Sequence, residues 1–82
     1  MDGVCTLEDV KRLVTKNKKE IKYYITLDNT DGTYDVVYRL KCSKQEAMAV
    51  FSFVIQQQKV DANKWRAVRV FDANDWQIAQ ES

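Results

Sequence analysis

The chain has 82 residues, of which 45% are hydrophobic and 30% are charged, and its formal net charge is +1. This length predicts one domain, residues 1–82, and excludes two separate cores or a large nucleotide-binding fold. The composition excludes a disordered, collagen-like or disulfide-rich chain. The near-zero net charge argues against a global basic field of the kind that drives nucleic-acid or membrane binding.

Cysteine usage and hydropathy predict a cytoplasmic protein with reduced thiols. Cys5 and Cys42 are too far apart to form a CxxC metal or redox motif. Residues 1–10 contain acidic side chains and no apolar run of signal-peptide length, and no stretch approaches the length of a membrane span. A disulfide between the two cysteines is the less favoured alternative in such a compartment.

The first predicted element is a helix over residues 6–19. Thr6 and Asp9 have the spacing of an N-terminal capping box, and acidic residues precede basic ones along the segment, as the helix dipole favours. Apolar side chains recur at helical spacing at Leu7, Val10, Leu13 and Val14.

Two strands joined by a tight turn follow this helix. Apolar and polar residues alternate over 21–27 and again over 34–40, and the turn formers of residues 28–32 lie between them. The alternation predicts an antiparallel hairpin whose helix-facing side carries Ile21, Tyr23, Ile25, Leu27, Tyr34, Val36, Tyr38 and Leu40. The opposite side would carry Lys22, Tyr24, Thr26, Val37 and Arg39.

A second helix is predicted from the capping box of Ser43 and Glu46 to about residue 59. Residues 47–55 are apolar with one exception, so periodicity alone does not separate a helix from a buried strand. The cap, the length and the glutamines that follow favour the helix. Phe53 lies off the main apolar face, so it is either half covered by a neighbouring element or presented to a partner.

The C-terminal part contains a short near-repeat. Residues 61–65 and 72–76 are both Asp-Ala-Asn-X-Trp, a pattern typical of a turn that leads into a strand. The β-branched and aromatic segment 66–71 predicts a third strand, and the alternation after Trp76 predicts a fourth strand at a sheet edge. A short helix capped by Asp72 is the competing interpretation of the tail.

The predicted element order is helix, strand, strand, repeated once. Two such αββ units predict an α+β fold, a small single domain in which two helices pack on a four-stranded antiparallel sheet.

The residue types argue against catalysis. The chain has no histidine, the commonest general base and metal ligand, and its 2 glycines are isolated, so no phosphate-binding loop exists. Asp28, Asp31 and Asp35 lack the spacing of a calcium loop. Cys42 precedes the second helix, whose N-terminus would lower the pKa of its thiol, but we interpret it as a small core residue. We therefore predict a non-enzymatic protein without metal or cofactor.

The outward side of the sheet carries the clearest functional signal. If Val68 and Val70 face the helices, an aromatic and basic surface forms from Tyr24, Trp65, Phe71, Lys22, Arg39 and Arg69. Such surfaces stack single-stranded bases, and they also form hot spots for protein partners. In the alternative, a helix covers each face, or the third strand has the opposite phase, and the aromatic residues belong to the core. The candidate partner-binding residues are Tyr24, Trp65, Arg69 and Phe71, with Phe53 as a second patch.

A basic run near the N-terminus is a second candidate surface. It comprises Lys11, Arg12, Lys16, Lys18, Lys19 and Lys22. Most lysine-rich helix faces are simply solvated. The functional alternatives are contact with an acidic protein or with a phosphate backbone.

These observations predict a protein-interaction module. A small chain without catalytic chemistry is typical of inhibitors and adaptors that cover a surface of a partner protein, including accessory proteins of phages and other mobile elements. The first alternative is a single-stranded nucleic-acid-binding protein that uses the aromatic and basic sheet face. The second is a structural homo-oligomer that pairs through Phe53 or through the edge strand after Trp76.

Overall fold

The computed structural model describes residues 6–58 and 65–81, without the side chains of Gln58, Trp65 and Arg66. Two α-helices, one 3₁₀ turn and four strands follow one another along the chain. They are α1 (Leu7–Leu13), the 3₁₀ helix (Lys18–Glu20), β1 (Tyr23–Asn29), β2 (Tyr34–Leu40), α2 (Lys44–Gln58), β3 (Trp65–Asp72) and β4 (Gln77–Glu81).

The four strands form one antiparallel sheet in the order β2-β1-β3-β4. The two hairpins, β1–β2 and β3–β4, are therefore joined through their first strands, and β2 and β4 lie at the edges. This confirms the predicted small α+β domain with four antiparallel strands and two helices. It also confirms the predicted edge strand in the tail, in place of the alternative short helix.

The helix α1 begins as predicted but ends early. Thr6 and Asp9 form the predicted capping box: the Thr6 N–H donates to the Asp9 carboxylate, and the Asp9 N–H donates to Thr6 Oγ1. The helix was predicted to reach residue 19, yet it stops at Leu13 because Val14 is extended. The chain then hydrogen-bonds to the outer edge of β2, with the Thr15 N–H donating to the Arg39 carbonyl at 2.9 Å. The hydrogen bonds that residues 13–15 form with β2 therefore take the place of the last predicted turns of α1.

The β1–β2 hairpin has the predicted turn but not the predicted register along its whole length. Gly32 adopts a φ of +91°, which glycine accepts without steric cost, and the Asn29 N–H donates to the Thr33 carbonyl. A bulge lies between two successive β1 residues: Ile25 pairs with Tyr38, whereas Thr26 pairs with Val36.

This bulge corrects part of the predicted face assignment. Because Val37 is the extra residue, the side chains of β2 change face on passing it. Tyr34 and Val36 were predicted to face the helices, but the register places them opposite Asp28 and Thr26, on the other side of the sheet. Tyr34 is accordingly 62% exposed.

The helix α2 has the predicted start and packs on the central strands. The Glu46 N–H donates to Ser43 Oγ, and the Ser43 N–H donates to the Glu46 carboxylate, which together form the second capping box. Its apolar side chains lie against β3 and β1. The buried core consists of Val10, Ile25, Leu40, Ala47, Val50, Phe51, Val54, Val68 and Val70. Within the described ranges, no helix has the length and apolar character needed to cross a membrane.

The symmetry between the two halves remains a prediction. The helix α1 has 7 residues and α2 has 15, and α2 supplies four of the nine core residues whereas α1 supplies one, Val10. The two halves therefore have the same order of elements but contribute unequally to the core.

Replacing Ser43 by alanine should destabilise the fold by about 1 kcal/mol, because one N-terminal amide of α2 loses its acceptor. Urea denaturation followed by circular dichroism measures the change. Ser52→Ala is the matched control, since Ser52 is exposed on the same helix and caps nothing. Equal losses for the two variants would show that the capping box does not stabilise α2.

Candidate functional site

One side of the sheet is left without a helix. The core residues of β1 and β3 alternate with outward-pointing ones, and both helices pack on the core side. In the described part of the chain no helix covers the other side. We call this surface the open sheet face. It is formed by Tyr24, Thr26, Asp28, Tyr34, Val36, Arg39, Ala67, Arg69, Phe71, Gln77 and Gln80.

An aromatic and arginine cluster lies at the centre of the open sheet face. Tyr24 and Phe71 are direct partners across β1 and β3, and their rings stack with centroids 5.0 Å apart and planes inclined by 12°. The guanidinium carbon of Arg69 lies 5.4 Å from the centroid of the Phe71 ring. Stacking and cation–π contact hold these three side chains in place, so the cluster is already assembled in the free protein.

Arg69 is also held by an ion pair. Its Nη2 lies 2.8 Å from the Asp28 Oδ1, and the two side chains are 29% and 26% exposed. The Arg69 Nε and the Thr26 Oγ1 are both buried and have no hydrogen-bond partner among the described residues. Thr26 and Arg69 are direct neighbours across the β1–β3 ladder, so the two residues that carry an unsatisfied polar atom belong to the same part of the face.

Tyr24 connects the cluster to the β3–β4 turn. Its hydroxyl donates to the Asp75 carboxylate at 2.7 Å. Partial burial, this hydrogen bond and the negative charge of Asp75 raise the pKa of Tyr24 to about 12. Asp75 has a φ of +65°, a conformation that aspartate adopts more readily than most residues. The bond from Tyr24 helps to hold this turn against one end of the open sheet face.

A groove crosses the other end of the open sheet face. Its volume is about 500 Å³, within the range of small-ligand sites. It is lined by Asp28, Asn29, Gly32, Thr33, Tyr34, Ala67, Arg69 and Gln80.

The predicted partner-binding residues are only partly brought together. Tyr24, Arg69 and Phe71 meet in the central cluster. Trp65 belongs to β3, but its side chain lies outside the described residues. Phe53 is half-buried against the core on the helix side of the sheet, so it lies apart from this cluster.

The six residues of the predicted basic run lie outside the strands that form the open sheet face. Its six side chains are exposed on α1, the 3₁₀ helix and the neighbouring loops. Arg12 is paired with Asp9, and the nearby Glu20 is paired with Lys41 at 3.6 Å. Of the six residues of the run, Arg12 alone has an ion pair among the described residues, and Glu20 pairs with a lysine outside the run.

The described residues show neither a group of potential metal ligands nor a thiol with a lowered pKa. Burial and the charge of Glu46 raise the pKa of the Cys42 thiol to about 11, so the expectation of a lowered pKa at the helix N-terminus is wrong. Cys42 is not in a disulfide, and the alternative Cys5–Cys42 pairing involves a residue outside the described ranges. No group of three potential metal ligands occurs within residues 6–58 and 65–81.

Several residues of the face were not selected from the sequence. Asp28 and Asp75 were assigned only to turns, and Tyr34 was assigned to the wrong side. The turn residues had a signal, since the repeated Asp-Ala-Asn pattern marks the loop that Tyr24 contacts. The bulge that redirects Tyr34 has no equivalent signal.

Comparisons with known proteins identify no relative. No family model, no curated protein and no solved structure matches this chain.

Spectrophotometric titration of the phenol groups should show one tyrosine that ionises near pH 12. An unfolded chain would lose this proton near the ordinary pKa of 10.0. The stabilisation is therefore complete below pH 10 and is lost as the pH rises toward 12. Tyr24→Phe should remove this late step. Tyr34→Phe changes an exposed tyrosine and should retain the late step. If the late step disappeared in Tyr34→Phe and persisted in Tyr24→Phe, the raised pKa would belong to Tyr34 and not to Tyr24.

A double-mutant cycle of Asp28→Asn and Arg69→Gln should give a coupling energy of about 1 kcal/mol, because both side chains are largely shielded from water. Urea denaturation of the four proteins measures it. The exposed Glu20–Lys41 pair provides the control cycle and should give a smaller value. An equal or larger coupling in the control would contradict the assignment of Arg69–Asp28 as the stronger pair.

Proposed function

We propose that this protein is a non-enzymatic interaction module that binds another protein through the open sheet face. It would act as an inhibitor or adaptor by covering a functional surface of that partner. The observation that carries the proposal is the preassembled cluster of Tyr24, Arg69 and Phe71 on a sheet face that no described helix covers.

The composition of the cluster supports a protein partner. Tyrosine and arginine are enriched among hot-spot residues, which tend to lie near the centre of an interface. Here the cluster lies on the two central strands, with polar side chains such as Arg39 and Gln80 toward the sheet edges. Because the rings and the guanidinium already contact one another, their ordering does not have to be completed on binding.

Charge favours protein over single-stranded nucleic acid as the partner. The cluster is flanked by two carboxylates, Asp28 beside Arg69 and Asp75 beside Tyr24. These charges repel a phosphate backbone, and the guanidinium that would attract it is already paired. A protein partner is therefore favoured, and the capture experiment below also detects nucleic acid.

The scaffold is also compatible with self-association. In the predicted arrangement of two αββ units, each hairpin has one outer strand. The outer edge of β2 is hydrogen-bonded by the segment around Thr15, whereas β4 lies at the other edge of the sheet. Sheet edges can pair between chains. A homodimer through β4 is the second alternative, and a mass that does not change with concentration would contradict it.

Capture from a lysate of the source cell, split into nuclease-treated and untreated halves, tests the proposal. A partner protein should be retained in stoichiometric amount after nuclease treatment. Phe71→Ala should then weaken its binding at least about tenfold, because the variant removes the ring on which Tyr24 and Arg69 pack. Leu7→Ala is the control, since Leu7 is 48% exposed on α1, away from this face.

Thermal unfolding of both variants establishes that the binding change is not a folding change. Material that disappears on nuclease treatment, with affinity that falls steeply as salt rises, would favour nucleic acid instead. Unchanged affinity of folded Phe71→Ala would contradict the open sheet face as the contact surface.

A further inference from the structure

The groove on the open sheet face is lined on β3 by one small side chain. Ala67 is the smallest outward-facing residue of the described sheet, and it is 5% exposed at the bottom of the depression. Its direct neighbour across the ladder is Asp28, and Arg69 follows two residues later on the same side of β3. The exposed ring of Tyr34 stands at the side of the groove that borders the β1–β2 turn. The groove is therefore a formed feature of the face and has an aromatic wall.

The two long walls of the groove offer complementary hydrogen-bonding groups. On the β3 side, the guanidinium of Arg69 has one acceptor among the described residues, the Asp28 Oδ1. On the β1 side, the Asp28 Oδ2 accepts from no described residue. The Asn29 side chain is instead engaged with Thr33 and Asp35, to which its Nδ2 donates. A ligand in the groove therefore meets donors on one side and acceptors on the other.

The buried polar atoms without a partner also favour a ligand at this position. An unpaired buried donor lowers the stability of a protein, so native proteins rarely retain one without a reason. The Arg69 Nε is such a donor, and Thr26, whose Oγ1 is also unpartnered, is the direct neighbour of Arg69 across the ladder. The Arg69 side chain therefore has hydrogen-bonding capacity that the described residues do not use, and a ligand oxygen in the groove can accept from its guanidinium.

The charge at this point selects a neutral ligand. Arg69 and Asp28 neutralise each other at 2.8 Å. A carboxylate or phosphate that approached the guanidinium would be repelled by Asp28, and a lysine or arginine side chain that approached the carboxylate would be repelled by Arg69. A carboxamide has no net charge and presents an acceptor and a donor side by side, as the two walls require.

We propose that this groove binds the carboxamide side chain of an asparagine or glutamine of the partner protein. The inference rests on the proposed function and adds the partner chemistry that the open sheet face recognises. The carboxamide oxygen accepts from Arg69, its nitrogen donates to the Asp28 carboxylate, and its plane lies beside Tyr34.

The direct test is an NMR titration of the full chain, labelled with ¹⁵N, with three capped tripeptides: acetyl-Ala-Gln-Ala-amide, acetyl-Ala-Glu-Ala-amide and acetyl-Ala-Lys-Ala-amide. The glutamine peptide should shift the Arg69 Nε–H and Ala67 amide signals, with an affinity at least about tenfold higher than either charged peptide. Ala67→Leu, which fills the groove and removes no polar group, should abolish this shift. Ala73→Leu is the matched control, since Ala73 is exposed in the β3–β4 turn at the opposite end of the sheet.

Equal or tighter binding of a charged peptide, or binding unchanged by Ala67→Leu, would overturn the inference, as would no shift with any peptide. If Ala67→Leu does not fold, Ala67→Val adds less bulk at the same position and replaces it. The partner-capture experiment separates this inference from the proposed function. Weaker capture with Phe71→Ala but not with Ala67→Leu would leave the interaction face in place and remove the groove, whereas capture unchanged in both variants would contradict the face itself.

Discussion

The pairing of β1 with β3 is the contact on which both halves of the structure depend. These strands are the central pair of the sheet, and their ladder aligns Ile25 with Val70 on one face and Tyr24 with Phe71 on the other. The first pair is fully buried beneath the helices, and the second forms the stacked centre of the open sheet face. Since side chains alternate along a strand, core packing and site geometry are set by the same register. A slip of one residue would exchange the two sets.

On and beside the open sheet face, the described residues include buried polar atoms without a hydrogen-bond partner and a residue with a positive φ. Thr26 is 1% exposed without a hydrogen-bond partner among the described residues, and Arg69 combines an ion pair with an unpartnered Nε. Asp75 adopts a positive φ while its carboxylate accepts from Tyr24. Polar groups that are partly buried and incompletely satisfied reduce stability, and such costs concentrate at functional surfaces. This contrast between the two sides of the sheet is one of the observations on which the proposed function rests.

The local sequence predicted the positions of some residues of the site and not of others. Tyr24, Arg69 and Phe71 were placed on one face because a period of two along each strand is a local property. The prediction for Tyr34 was wrong because the bulge at Val37 interrupts the two-residue alternation of β2. No residue type in this segment predicts a bulge. Asp28 and Asp75 were recognised only as turn formers. Their contacts with Arg69 and Tyr24 span 41 and 51 residues, so periodicity could not reveal them.

The sequence by itself determined the two α-helices and four strands, both capping boxes, the Gly32 turn and the small α+β class, because caps, turns and periodicity act over a few residues. Tertiary structure decided where α1 ends, since only the edge of β2 provides the partners that Val14 and Thr15 take in place of another helical turn. It also decided the strand order, the bulge and the groove above Ala67. Each of these depends on contacts between segments distant in sequence, and the free energy of those contacts is absent from any local pattern.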